Sequence, residues 1–324
     1  MSEQIKWSVS IVIPNYNGQH LLVETITCAY NSLVTSGILD YEIIVSDDAS
    51  TDDSFQQVTS VFPELIYLTS DTNTGFAGNM NRGIRRATKE LVCFLNSDVH
   101  LSSGYFHSQL PLFQDEQTFG VMGAIFDKET NVPQDGAKSP RIGLLKIESN
   151  KNTFSSMEVL PTLFLSGANA LVRRKKLLEL GGFCELFNPY YSEDVDLGLR
   201  AWRNGWSLYF QPVATCYHEQ SSTIKKLPTI KVKTIAKRNK HYLHFLHLPI
   251  GLNYVYLVKA SVNSFAQLLI GRPLHFQALT LVFKELKPLQ LERKNRQQHS
   301  PKKKVLSVFQ VRKAMYGKVP LKST

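Results

Sequence analysis

The chain predicts a mostly parallel α/β sheet flanked by helices, followed by a basic helical extension. Short apolar runs, Val9–Ile13, Tyr41–Val45 and Leu91–Leu95, alternate with helical stretches. That alternation is the signature of parallel strands buried on both faces. Each run breaks into a polar loop: Pro14-Asn15-Tyr16, Ser46-Asp47-Asp48, and Asn96-Ser97-Asp98. Charge is segregated as well. Residues 1–220 hold 16 Lys and Arg against 25 Asp and Glu, whereas residues 221–324 hold 21 Lys and Arg and only Glu285 and Glu292 as acids.

In order, Val9–Ile13 is a strand ended by Pro14, and residues 18–33 form a helix. Tyr41–Val45 is the second strand. Residues 51–61 form a helix with Ser50 or Thr51 as N-cap. Residues 65–68 are a short strand, 76–87 a helix, Leu91–Leu95 and Gly120–Ile125 strands. Residues 127–157, with Pro133, Gly136, Pro140 and Gly143, read as a loop or a small hairpin excursion. Leu163–Val172 is expected as one strand. Arg174–Leu180 is a helix stopped by Gly181-Gly182. Ser192 should cap a helix from Glu193 to about Asn204, and Leu208–Phe210 is the next strand. From Ser221 onward the pattern is helical and basic.

The 324 residues, 43% hydrophobic and 20% charged, can bury a sizeable core. Cys28, Cys93, Cys184 and Cys216 lack metal-site spacing and read as reduced thiols of a cytosolic protein. Met1–Lys6 has no apolar signal-peptide core. No uninterrupted apolar run reaches the length that spans a bilayer.

Ligands of open α/β sheets sit beyond the carboxyl ends of the strands. Asp98 is therefore placed where a phosphate-bound divalent metal could be held; taken singly it reads as a helix N-cap or turn residue. Asp47 and Asp48 read singly as a turn and N-cap pair, and Gly75 and Gly78 as a turn and a close helix packing. Glu193, Asp194 and Asp196 could simply favour a helix dipole. Arg200 and Arg203 read as a solvated helix face, and Trp202 and Trp206 as core. What distinguishes these loops is that parallel strands bring several of them to one rim.

The ordered set "SIVIPNYNG", "IIVSDDASTDDS", "NTGFAGNMNRGI", "FLNSDV", "FLSGANALVRRKKLLELGGFCELF", "YYSEDVDLGLRAWRNGW" and "ATCYHEQSST" resembles the inverting family 2 glycosyltransferases of GT-A fold. The branch it looks most like is the bacterial rhamnosyltransferase-like group that builds cell-surface polysaccharides. The resemblance covers roughly residues 8–223 and implies a catalytic domain over 1–223, with 224–324 as a membrane-associating or docking extension. It implies that Pro14, Asn15 and Tyr16 line a nucleotide pocket, with Gly75 on the same rim. Asp47 would read the base and Asp48 would support that loop. Asn96 and Asp98 would hold the outer positions of the DXD motif, Asp98 binding Mg²⁺ or Mn²⁺ on the donor diphosphate. Asn96 stands where the motif's first acid would be, which removes one negative charge. Asp194 would be the general base, and His218 a second metal ligand or a diphosphate contact. The implied reaction moves a sugar from a UDP- or dTDP-sugar donor to a hydroxyl of a glycan or lipid-linked acceptor.

In the extension, Val255, Val258, Val262, Phe265 and Leu269 recur at helical spacing and form an apolar stripe flanked by Lys259. It suits either docking on the catalytic domain or an anionic membrane surface. With the basic balance around it, this places the protein in the cytoplasm, peripherally associated with the inner face of the cell membrane. Residues from about Arg293 onward are expected to be dispensable for the fold. A sugar nucleotidyltransferase would want a glycine-rich loop with an Arg after the first strand, and "IPNYNGQH" has one glycine. A nucleic-acid-binding protein using the basic tail has no recognised motif here, and the acidic front would repel phosphate, so nucleic acid is not an expected partner.

Overall fold

The computed structural model describes residues 7–151, 157–219, 228–301 and 305–317. The first half runs β1 (Val9–Asn15), α1 (Gln19–Thr35), β2 (Tyr41–Asp47), α2 (Ser54–Val61), β3 (Ile66–Leu68), α3 (Gly75–Arg86), β4 (Leu91–Phe94) and β5 (Val99–Leu101). Then come β6 (Thr118–Asp127), β7 (Pro133–Asp135), β8 (Lys138–Gly143), β9 (Lys146–Lys151), β10 (Leu160–Pro161) and β11 (Ala170–Arg173). They are followed by α4 (Arg174–Glu179), α5 (Glu193–Arg203) and β12 (Ser207–His218). The extension supplies α6 (Thr229–His247), α7 (Leu252–Leu269), α8 (Leu274–Lys284), α9 (Leu286–Gln298) and α10 (Val311–Tyr316).

The main sheet has the order β10-β12-β6-β11-β4-β1-β2-β3. β1 is parallel to β2 and β4, β2 to β3, and β6 to β12. β11 enters antiparallel between β4 and β6. The sheet is thus mixed but mostly parallel, and period-two alternation divides its side chains between two cores. Val9, Ile11 and Ile13 pack on one face with α1, whereas Val12 packs on the other with α3 and α5.

Several boundaries differ from the sequence expectation. Pro14 does not end β1; it pairs in register with Ser46. Val12 O accepts from Leu95 N, so by alternation Pro14 faces the β4 side beyond that strand's last rung, where its missing N–H costs nothing. Helix α2 starts at Ser54 rather than residue 51, because Ser50 is used elsewhere. Of the expected strand 163–172 only the end forms, as β11; residues 162–169 are irregular, and β10 lies before them. A Cβ on Gly167, in that stretch, would sit 2.8 Å from the Phe76 ring. The excursion contains the β8–β9 hairpin, and also β7, which joins the main sheet on β6.

The expected boundary at 223/224 lies outside the described residues, as do Gln220–Thr223 of the last motif. Beyond it, Tyr242, Phe245, Leu257, Leu279, Val282, Leu289, Val308, Val311 and Met315 join the same core cluster as α3 and α5. Arg203 Nε donates to Leu306 O, and Leu306 N to Arg203 O. Arg293 donates to the Phe245 and Leu248 carbonyls. The segment after Arg293 is therefore built into the core, and the expectation that it is dispensable for folding is corrected. The α7 stripe, by contrast, is not docked: Val255, Val258, Val262, Phe265 and Leu269 face solvent while Leu257, Ala260 and Ser264 are buried. Among the described residues no helix is long and apolar enough to cross a membrane.

Candidate active site

The rim begins with a register. Because Asn15 pairs with Asp47 across β1 and β2, Asn15 Nδ2 reaches Asp47 Oδ2 at 2.7 Å. Asp47 also accepts from Ser50 N and Oγ and from Tyr67 OH at 3.0 Å. Ser50, expected as an N-cap, instead knots the loop: its Oγ also accepts from Asn17 N at 2.8 Å. Asn17 Oδ1 in turn accepts from Thr51 N. Asp52 Oδ2 takes the free backbone N of Gln19 at the start of α1. Tyr16 stands exposed on this rim, and Pro14 is half-buried.

Asp48 is consumed in holding the neighbouring loop. It accepts from Thr74 N, Thr74 Oγ1 and Gly75 N, and pairs with Arg82 at 3.2 Å. Gly75 adopts φ +74, and a Cβ there would lie 2.9 Å from Asn188 Oδ1; both facts require glycine. Asn188 spans the start of α3, accepting from Ala77 N and donating to Thr74 O.

The antiparallel β5–β12 ladder pairs Val99 with His218, which sets Asp98 beside the His218 ring. Asp98 Oδ2 lies 3.2 Å from His218 Nε2, and His218 Nδ1 is 2.8 Å from Gln134 Oε1. Asp98 Oδ1 is buried with no hydrogen-bond partner among the described residues. A carboxylate with an orphaned oxygen, next to an imidazole whose far nitrogen is oriented by an amide, fits a divalent cation. Asn96 lies in the same turn, its N donating to Ala168 O and its O accepting from Val99 N. Thr25 Oγ1 ties the turn to α1 through Ser97 O. Nearby, Glu24, His100 and Glu219 also converge, but Lys128 Nζ lies 2.9 Å from both carboxylates and serves as their counter-ion.

Asp194 opens α5. Tyr191 and Ser192 before it hold φ +76 and +74, a conformation unfavourable for non-glycine residues. Ser192 makes no side-chain cap, contrary to expectation. The turn is held from α6: Asn239 Nδ2 donates to the carbonyls of Phe187, Tyr190 and Tyr191. Burial pushes the Asp194 carboxyl up to about 6, with Asp135 adding to the rise and Lys138 opposing it. Burial, then the Asp194 charge, pushes Glu193 further, to about 8. Glu193 is buried, with Oε2 unpartnered among the described residues, whereas Asp194 is half-buried. Of the two, Asp194 is ionised and reachable at neutral pH.

The structure thus joins Asn15, Asp47, Asp48 and Gly75 in one hydrogen-bonded rim and pairs Asp98 with His218. Strand β7 links the rest, placing Gln134 on His218 and Asp135 near Asp194. Sequence reasoning missed Tyr67, Arg82, Gln134, Asn188 and Asn239. It also misread Arg200, which is buried and bonded to Asp196 at 2.8 Å, and Arg203, which is half-buried against Leu306. A cavity of about 960 Å³ between α5 and α9, lined in part by these arginines, holds none of the expected site residues.

Residues 10–181 match the family model described as Glycosyl transferase family 2. Chondroitin synthase of Escherichia coli is 26% identical over 245 residues, covering 65% of this chain and 34% of that protein. The GalNAc(5)-diNAcBac-PP-undecaprenol beta-1,3-glucosyltransferase of Campylobacter jejuni is 30% identical over 183 residues, covering 55% of each chain. The matched region thus spans about a third to a half of these two relatives' lengths. In fold, the chain is similar to GalNAc-T7 crystallised with UDP, GalNAc and Mn²⁺, with a TM-score of 0.61 at 14% identity, covering 92% of this chain and 59% of that one. With the matched region taking in the β1 and β2 loops and the Asp98 turn, this chain belongs to glycosyl transferase family 2 and is a glycosyltransferase of GT-A fold.

Proposed function

We propose that this enzyme transfers a hexosyl or rhamnosyl group, with inversion, from a UDP- or dTDP-sugar to a hydroxyl of a lipid-linked glycan. It would do so at the cytoplasmic face of the cell membrane during synthesis of a cell-surface polysaccharide. The observation that carries this reading is the Asp98–His218 pair with its orphaned carboxylate oxygen, set on the rim where Asn15 and Asp47 meet.

The nucleotide would lie across Pro14, Asn15 and Tyr16, with the base toward Asp47 and the loop stiffened by Asp48 on Gly75. Asp98 and His218 would hold Mg²⁺ or Mn²⁺, which when bound neutralises charge on the diphosphate leaving group. Asp194 takes the proton from the acceptor hydroxyl. The resulting oxygen attacks from the face opposite the leaving diphosphate, and the anomeric configuration inverts. No carboxylate nucleophile is needed. The presence of undecaprenol in the name of the Campylobacter relative supports a polyprenol-linked acceptor.

Asp98→Ala removes the only acid in the 96–98 turn. Calorimetry with UDP or dTDP and Mn²⁺ should show metal-dependent binding in the parent protein and none in the variant. His218→Ala should weaken it less, because Asp98 and the phosphates remain. Unchanged affinity in Asp98→Ala would remove the basis of the assignment.

A further inference from the structure

Helix α7 presents an unusual surface. Val255, Val258, Val262, Phe265 and Leu269 are 51%, 65%, 68%, 57% and 72% exposed. Their spacing of three and four residues puts them in one row. Asn253, Leu257, Ala260 and Ser264 occupy the opposite side and are buried, so the helix is held with its apolar row outward. Ile250 before the helix and Ile270 after it are also exposed, as is Phe276 on α8. Contiguous apolar surface of this kind marks a site of interaction rather than ordinary exposure.

Charge indicates the partner. Lys259 is the only charged residue in α7. Residues 228–301 around it hold twelve Lys and Arg against Glu285 and Glu292; Arg293 and Arg296 are engaged in the core, while Lys231, Lys233 and Arg272 are exposed. A second copy docking on this face would bring two basic surfaces together. The row offers no hydrogen-bonding group to set the register of a protein partner. An apolar row with a cationic surround matches the acyl and headgroup layers of an anionic bilayer. At 18 residues, and without the hydropathy to span, the helix would lie in the plane of the interface.

We propose that α7 seats the enzyme on an anionic bilayer by inserting this row. The lipid contact is then made by the middle of the extension, not by the C-terminal segment, which is bonded into the core. The purpose of this contact rests on the lipid-linked acceptor proposed above, but its physical test does not.

Full-length protein would be co-sedimented with vesicles of equal phosphatidylglycerol and phosphatidylcholine, at 0.1 and 0.5 M NaCl. Binding should weaken with salt as the charge attraction is screened, yet stay measurable, because insertion of the row is not screened. Val258→Ser with Phe265→Ser should lower the partition coefficient roughly 30-fold and abolish the high-salt remainder. The doubly substituted protein should keep its thermal midpoint and nucleoside-diphosphate binding. Arg312→Ser with Lys313→Ser, on the exposed side of α10, should bind vesicles nearly as the parent does. Vesicle binding that is unchanged by the α7 substitutions would overturn the proposal. So would a parent protein that ignores vesicles but forms dimers which the α7 substitutions dissociate. Seating that survives in a protein unable to transfer sugar would leave this inference standing and count against the catalytic reading alone.

Discussion

Asp194→Asn should cut sugar transfer by roughly two orders of magnitude or more, the usual consequence of losing a positioned general base, with donor affinity nearly unchanged. The substitution keeps the shape, and the amide oxygen can still accept from Val195 N, as Asp194 Oδ1 does at 2.7 Å. The pH profile separates the two neighbouring acids. A base must be unprotonated, so transfer should rise with pH through the base's own pKa and then level off. Burial sets Asp194 at about 6 and Glu193 at about 8. With Asp194 as base, the rising limb lies near pH 6 and the plateau is reached by neutrality. In Asp194→Asn that limb should vanish from the residual rate. A limb near 8, or near-wild-type transfer by Asp194→Asn, would move the role to Glu193. Steady-state transfer measured from pH 5 to 9 on both proteins decides it.

How much of this was legible in the sequence follows from which interactions are local. β1, β2 and β4 were readable because strands buried on both faces must be apolar throughout, and their loops followed because parallel strands end on one rim. Asp98 and His218 could be named from motifs, but their meeting depends on β5. That strand has three residues, Val99–Leu101, too few for a periodic signal. Gln134 lay in a stretch with no hydrophobic pattern, and only its sheet pairing through β7 brings it to His218. Asn239 looks like any polar residue in a basic helix; its three carbonyl contacts exist only because α6 folds back on the 187–191 loop. The α7 row was visible as a stripe, yet periodicity alone does not say which side a helix buries. Here the small polar and aliphatic side, Asn253, Leu257, Ala260 and Ser264, is the buried one.

The last expected result concerns Asp196, two residues past the proposed base. It is fully buried, and three partners from three helices converge on it. Arg200 Nε lies at 2.8 Å, His247 Nε2 at 2.8 Å, and Arg296 Nη1 and Nη2 at 2.6 and 3.2 Å. Burial alone would raise the Asp196 carboxyl; Arg296 first, then Arg200 and His247, outweigh it and hold the group well below the usual carboxylate range. A depressed carboxylate contributes stability that is present above its unfolded pKa of about 4 and is lost as acid protonates it in the fold. His247 behaves oppositely. Burial lowers it to about 4 from 6.5, so it is neutral at pH 7, and the unfolded chain gains the proton first as pH falls. Arg296→Ala removes one partner of a buried pair, a change that typically costs about 3–5 kcal/mol. It should lower the thermal midpoint clearly at pH 8. At pH 6 the loss should shrink, because without the Arg296 charge His247 can protonate in place and become the new counter-ion. A chain ending at Glu292 should be destabilised at least as much, since it also loses Val308, Val311 and Met315 from the core. Thermal unfolding of the three proteins at pH 6 and pH 8 is the measurement. Equal midpoints for the parent and Arg296→Ala would show that Asp196 is adequately held by Arg200 and that Arg296 does not brace the helix carrying Asp194, whereas a deficit that does not depend on pH would show that His247 does not take over as counter-ion.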